Sequence, residues 1–289
     1  MTAAGWDQGA GPRRREAGGS GRILGRSTRA VSAGRWAALL VGLLAALAVL
    51  AGCQRSAVSG LAAPSTTVAP VAPARLQPGR VGLGSASSYV AVATTDLAAH
   101  AKPGDGSRVV GLFPQTTPWG SPTPFLVTQA YRDAAGATWL RALLPRRPNG
   151  SVGWIRREQV RVRPVADALE VDLSARTVRL LRDGRTVRTW PAGIGRPFTP
   201  TPTGRFYITV KLRPPQISIV YGAWALGLSG YSEVLEQFGT GDGQIALHGT
   251  ANSADLGNQV SNGCVRLANQ AITTLAETVP LGTPVTIRA

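Results

Sequence analysis

Among its 289 residues this chain has only two histidines, two cysteines and two lysines. One histidine and one cysteine lie close together, His248 and Cys264. They cannot supply the three or four ligands that a zinc ion takes, and Asp242 and Asp255 nearby read as solvated loop residues. No metal and no organic cofactor is therefore expected. The glycines of the 239–243 run are followed by no Lys-Ser/Thr pair, which excludes a phosphate cradle. The C-terminal half has no basic run interleaved with aromatics, which argues against nucleic acid as a partner. Acidic residues are few, 15 against 31 basic ones. Of the basic residues 29 are arginine, and with heavy alanine use this bias reads as a GC-rich codon preference. The positive balance still suits an anionic partner such as a cell wall or lipid surface.

What is there first is a targeting pattern. Arg13, Arg14, Arg15, Arg22, Arg26, Arg29 and Arg35 precede an uncharged run from Trp36 to Gly52. A basic region followed by a short apolar stretch is the layout of a secretory signal. It ends in Leu50-Ala51-Gly52-Cys53, which resembles the bacterial lipobox. That resemblance implies a lipoprotein signal peptide over 1–52 and a lipidated Cys53 as the first mature residue. The protein is then anchored by lipid at the outer face of the cytoplasmic membrane. A single uncleaved signal-anchor helix is the alternative, and the run is marginal against the roughly 20 apolar residues a span needs. Both orient the body outside the membrane, with the arginines on the near side. If Cys53 carries lipid, Cys264 has no disulfide partner. A lone thiol in an oxidising compartment is a liability, so its presence points to use.

Residues 53–86 are rich in Ala, Pro, Ser and Thr and read as a disordered tether. From Tyr89 the texture changes to short alternating runs, such as 89–92 and 125–128, broken by Pro and Gly turns. Residues 139–145 and 153–155 read as core strands, with Pro148-Asn149-Gly150-Ser151 as the turn between them. With its closing Gly-Trp-Ile strand, the segment 87–165 resembles the bacterial SH3-like domains found beside cell-wall enzymes. Its tryptophans read as core residues, and His100 as an exposed loop side chain without a role.

Residues 166–289 form a second mostly β unit of a size that folds alone. Strands are expected at 169–173, 177–181, 186–190, 206–210, 245–247 and 284–288, with Asp183-Gly184 turning a hairpin. Two helices are expected, Ser232 to Phe238 and Asn269 to Thr278. Asn269 caps the second, and Ala271, Leu275 and Ala276 give it an apolar face. The strand 245–247 delivers His248 at its end.

Cysteine and histidine together can make a nucleophile. A free thiol of pKa about 8.5 is only about 3% ionised at pH 7. An adjacent imidazole can lower that pKa and make thiolate a substantial species. Cys264 is thus the candidate nucleophile, with His248 as base and then as acid for the leaving amine. Gly263 permits a tight turn, and the amides around Gly263 and Cys264 are candidate oxyanion donors. Arg266 either meets a substrate carboxylate and steadies the thiolate or makes a structural ion pair. Ser261 orients the histidine or closes the turn. No carboxylate is placed to be a third triad member, and a backbone carbonyl could fill that role.

The ordered set of the Val-Asp-Leu hairpin, Thr201-Pro202-Thr203-Gly204, the 221–230 region, His248-Gly249-Thr250 and Ser261-Asn262-Gly263-Cys264-Val265-Arg266-Leu267 carries a resemblance. Residues 168–289 resemble the YkuD-type L,D-transpeptidase catalytic domain. This implies a β-sandwich-like fold with one or two short helices, acting on peptidoglycan stem peptides. By that resemblance the cysteine attacks the bond before a terminal D-alanine, releases it, and passes the acyl group to an acceptor amine. Gly249 and Thr250 enter the site set by the same motif. Many members have histidine at the position of Asn262, so His248 is the single candidate base here and Asn262 offers only an amide. Transfer to water, an L,D-carboxypeptidase activity, passes through the same acyl-enzyme. A non-catalytic wall-binding lipoprotein is the rival from another class. A papain-like protease is disfavoured because its cysteine precedes its histidine.

Overall fold

Period-two alternation in the sequence becomes two eight-stranded sheets, seen in a computed structural model that describes residues 79–82, 88–239 and 241–289. The signal segment 1–52, Cys53 and most of the 53–86 tether lie outside the described residues. The described chain is mainly β, with one α-helix of ten residues.

The first sheet is built from β1 (Gly79–Val81), β2 (Ser88–Ala93), β3 (Leu97–His100), β4 (Val109–Phe113), β5 (Pro124–Arg132), β6 (Thr138–Leu143), β7 (Val152–Arg156) and β8 (Val160–Val165). Its path runs β4-β3-β7-β6-β5-β2-β8, with β1 on β5. Phe125, Leu140, Ile155 and Val160 are among the buried residues of its core. The 148–151 turn forms as expected, with Gly150 at φ +79° and the Ser151 amide donating to the Pro148 carbonyl at 3.2 Å. Trp139 is fully buried. His100 differs from expectation. It is half-buried, with Nδ1 3.0 Å from the Ser107 carbonyl and its ring set edge-on to Trp139. The polar flanks of His100 concealed a packing role.

The second sheet comprises β9 (Asp167–Asp172), β10 (Thr177–Arg182), β11 (Arg185–Pro191), β13 (Gly204–Leu212), β14 (Ala225–Tyr231), β15 (Gln244–Thr250), β17 (Val265–Ala268) and β18 (Pro284–Arg288). Its order is β11-β10-β9-β18-β13-β14-β15-β17, and the short pair β12 (Ile194–Gly195) and β16 (Gln259–Ser261) stands beside it. Asp183 and Gly184 both take positive φ, the twist that a two-residue hairpin needs. The helix α1 (Asn269–Thr278) buries Ala271, Ile272, Leu275 and Ala276 against the sheet, as its 3–4 spacing requires. At its far end Lys211 Nζ donates to the carbonyls of Ala276 and Val279, at 2.7 and 3.0 Å, closing groups that no further turn can satisfy.

Two expectations about helices are corrected. Asn269 does not cap α1; the cap position is Ala268 without a side-chain bond, and Asn269 Oδ1 accepts from the Ala223 amide at 2.8 Å. The segment 232–238 is no helix. Its Ser232 hydroxyl accepts from the Leu235 amide at 3.0 Å, but the Arg147 guanidinium takes the carbonyls of Ser232 and Leu235. Those carbonyls are the acceptors a helix would need for its own ladder.

The two sheets meet through side chains of the 145–150 turn. Arg147 also reaches the Asp242 carbonyl, at 2.9 Å, and lies over the Tyr231 ring. Asn149 exchanges two 2.8 Å hydrogen bonds with the backbone of Tyr231, as a neighbouring strand would. The Tyr231 and Tyr207 hydroxyls donate to the carbonyls of Pro145 and Leu143.

Candidate active site

β15 and β17 lie side by side and parallel, with Leu247 opposite Val265 and His248 opposite Arg266. Side chains alternate along a strand, so His248, Arg266 and, two residues before it, Cys264 share one face. The topology thus brings two residues 16 positions apart in sequence onto one face of neighbouring strands. Both His248 and Cys264 line one cavity of about 450 Å³.

His248 is 3% exposed. Its Nδ1 stands 2.8 Å from the Gly249 carbonyl, which can only accept, so Nδ1 carries the proton and Nε2 is left with a lone pair. The third member of the array is therefore this backbone carbonyl. Gly249 is itself pinned, because its amide donates to the carbonyls of Tyr221 and Trp224, at 2.9 and 3.1 Å. Burial pushes the His248 pKa down to about 4, with the Arg266 charge acting the same way against the Gly249 bond and Asp255. The imidazole is neutral at physiological pH.

Cys264 is half-buried and free. Burial pushes its thiol up, and a backbone hydrogen bond from Ala246 and the Arg266 charge only partly oppose this. The expected thiolate-rich cysteine is thus not found. Loss of hydration outweighs the nearby polar groups, and the neutral His248 offers no positive charge. The resting pair is thiol and neutral imidazole.

Ser261 closes the turn before the cysteine. It is 1% exposed, donates to the Cys264 carbonyl at 2.6 Å and accepts from the Gly263 amide at 3.1 Å. That second bond withdraws Gly263 from the candidate oxyanion donors. Gly263 has φ +113°, and a Cβ there would meet Ile245 Cδ1 at 2.9 Å, so the position requires glycine. Asn262 also lines the cavity, and its Oδ1 accepts from Thr199 Oγ1 at 3.4 Å. Thr199 Oγ1 and the Arg196 amide brace the Ser261 carbonyl from behind, at 3.1 and 3.0 Å.

Arg266 makes the ion pair, with NH1 2.9 Å from Asp255 Oδ2. Asp255 is 6% exposed, which corrects its reading as a solvated loop residue. Thr250 Oγ1 and Asn252 Nδ2 complete its shell at 2.6 and 3.1 Å. Burial pushes the Asp255 carboxyl up, but the Thr250 hydroxyl and Arg266 guanidinium together hold it below its ordinary value. Thr250 therefore supports the site through Asp255.

Sequence reasoning missed two contributors. Tyr221 sets its ring edge-on to His248 at 5.4 Å, and burial pushes its phenol up, so it stays protonated. Its place beside a motif was legible, but its contact was not. The other is the first sheet, whose Phe113, Pro114, Pro118 and Trp119 line the same cavity. Trp119 thus departs from the expectation that the tryptophans are core.

Residues 166–287 match the family model described as YkuD, L,D-transpeptidase catalytic domain. The chain is 38% identical over 119 residues to the YkuD protein of Bacillus subtilis strain 168, named as an L,D-transpeptidase. That alignment covers 41% of this chain and 64% of the relative, so the chain spans less than two thirds of its length. YqjB of the same organism, similarly named, is 32% identical over 37% of this chain and 63% of its own length. Among solved structures, an L,D-transpeptidase from Mycobacterium tuberculosis H37Rv matches with TM-score 0.38 and 19% identity, over 55% of this chain and 79% of that one. Bd1075 of Bdellovibrio bacteriovorus matches with TM-score 0.35 and 28% identity, over 43% and 48%. At these TM-scores the structural likeness carries no weight. The similarity is thus confined to the C-terminal segment, which resembles L,D-transpeptidase catalytic domains in the family match and in the curated relatives.

Proposed function

We propose that this protein is a peptidoglycan L,D-transpeptidase that works through a Cys264 acyl-enzyme. The observation that carries the reading is the pairing of β15 with β17, which faces Cys264 and a neutral, carbonyl-held His248 into one cavity. The donor is a stem tetrapeptide ending in D-alanine, by analogy with the family.

Because the resting pair is neutral, the thiol proton passes to His248 Nε2 as sulfur attacks the carbonyl carbon before D-alanine. The Gly249 carbonyl steadies the imidazolium so formed. The oxyanion is met by the Cys264 amide, since the Gly263 amide is held by Ser261. As the C–N bond breaks, His248 returns the proton to the departing D-alanine nitrogen and a thioester remains. An acceptor amine then attacks the thioester, gives its proton to His248, and the thiol is restored as the amide forms. Water in place of the amine gives the trimmed tripeptide.

Intact-protein mass spectrometry with a D-alanine-terminated tetrapeptide tests this. Wild type gains the peptide mass less D-alanine, and Cys264→Ala gains nothing. A folded wild type that stays unmodified by the peptide and by a carbapenem overturns the reading. Anchoring through lipid on Cys53, with the 87–165 unit as an SH3-like wall-binding domain, completes the proposal. Its support is the sequence pattern, and Cys53→Ala should move the protein out of the detergent phase.

A further inference from the structure

The cavity that holds Cys264 is not closed by the catalytic sheet alone. Phe113 and Pro114, at the end of β4, and Pro118 and Trp119, in the loop to β5, line it from the first sheet. Hydrogen bonds hold the loop that carries them. The Thr117 amide donates to Ser121 at 2.7 Å, and the Gly120 amide to Thr117 at 2.9 Å. Thr123 Oγ1 donates to the Pro114 carbonyl at 2.7 Å, and the Gln115 amide to Asp96 Oδ1 at 2.8 Å. Phe113 packs edge-on against the buried Phe125, at 5.2 Å. The loop therefore presents its aromatic and proline surface without having to order on binding. The facing wall is equally fixed, since Arg147 of the first sheet holds the carbonyls of Leu235 and Asp242.

A preformed cleft with an apolar, aromatic wall and polar groups elsewhere in its lining is a common form of small-ligand site, and about 450 Å³ lies within the roughly 300–1,000 Å³ of such sites. The molecule that reaches the Cys264 thiol must enter the same space. We propose that Phe113 and Trp119 form a donor-binding wall, against which the backbone and aliphatic carbons of the stem peptide lie while its D-alanine end is at Cys264. The inference rests on the acyl-enzyme reading above. It assigns the first sheet a part in substrate binding within the catalytic cleft, separate from any adhesion to the wall polymer. The grip acts on ground state and transition state alike, so it sets the concentration needed for acylation and not the limiting rate.

Trp119→Ala provides the test, in single-turnover acylation of the full chain by a synthetic D-alanine-terminated tetrapeptide. The half-saturating peptide concentration should rise about tenfold, as for an aromatic anchor, with the limiting rate changed by less than about twofold. Trp119→Phe should recover most of the loss. Alkylation of Cys264 by iodoacetamide, which is too small to need the wall, should be unchanged. An unaltered half-saturation in folded Trp119→Ala overturns the proposal. So does a joint fall in limiting rate and alkylation rate, which would mark a disturbed site. A defect seen only with a disaccharide-linked peptide also overturns it, assigning the wall to sugar. Wild type runs in the same assay, so absent acylation there fails the parent reading separately.

Discussion

At the scale of single residues, the site is defined by two groups whose charged forms are both disfavoured. For His248 the sign is unambiguous. Its folded pKa of about 4 lies below the roughly 6.5 of an unfolded chain, so between those values the unfolded state binds the extra proton. The stability due to neutral His248 is full above about pH 6.5 and is lost as pH falls toward 4, by on the order of 3 kcal/mol. Denaturant titrations at pH 7 and 4.5 should show this loss in wild type and a smaller one in His248→Asn. For Cys264 the raised thiol pKa predicts iodoacetamide rates that keep climbing through pH 8.5, with a midpoint above an ordinary cysteine. A midpoint near 7 would mean a preformed ion pair and would contradict a resting pair of thiol and neutral imidazole. The residue identities were legible because His248 and Cys264 stand at motif positions. The direction of the thiol shift was not, because burial is a property of the packed sheet.

At the scale of elements, the strand that carries His248 is tied to the segment before it by a knot around Asn269. A Cβ on Gly222 or on Gly249 would meet Asn269 Oδ1 at 2.2 Å, where that oxygen holds the Ala223 amide. Gly249→Ala should therefore cost about 2–3 kcal/mol in chemical denaturation and slow acylation, because the carbonyl that orients His248 must shift. Asn269 itself was legible only as a helix cap, since local sequence offers that use and hides a partner 46 positions away. The strand β14 shows the same limit. Its sequence Ala-Leu-Gly-Leu-Ser-Gly-Tyr is poor in β-branched residues, yet it lies in the sheet interior between β13 and β15. Its glycines are spent on packing: a Cβ on Gly230 would strike the Phe206 ring at 2.5 Å. The alternating strands β9, β10 and β18 were legible because one face of each is buried.

At the scale of the whole described molecule, the cleft that holds Cys264 depends on a guanidinium outside the sheet that carries the cysteine. Arg147 serves three carbonyls of the 232–242 segment, and truncation leaves all three without that donor. Arg147→Ala should lower stability by about 2–4 kcal/mol and slow acylation, with Arg147→Lys recovering only part because it lacks the planar fork. Thermal melts read beside tetrapeptide acylation check both. Two β units were legible from the change of texture after residue 165. That they build one cleft was not, because Asn149 and Arg147 spend their side chains on backbone groups, and such bonds leave no trace in composition.

The join between the sheets has a mechanical consequence. β8 ends at Val165 and β9 begins at Asp167, so Ala166 alone connects them. A swinging hinge needs several residues free to change their dihedral angles, and here both neighbours are locked into ladders. Breathing of the cleft should therefore centre on the segment 213–222, where Ile217 and Ile219 are exposed, within the limits set by the Ser218–Gly222 bridge and the Gly249 amide on the Tyr221 carbonyl. Hydrogen exchange should be faster at the exposed Ile217 and Ile219 than at Tyr231, whose amide is held by Asn149. Val220 and Tyr221 of that segment line the cavity, so access to the Cys264 thiol would follow the tempo of one loop.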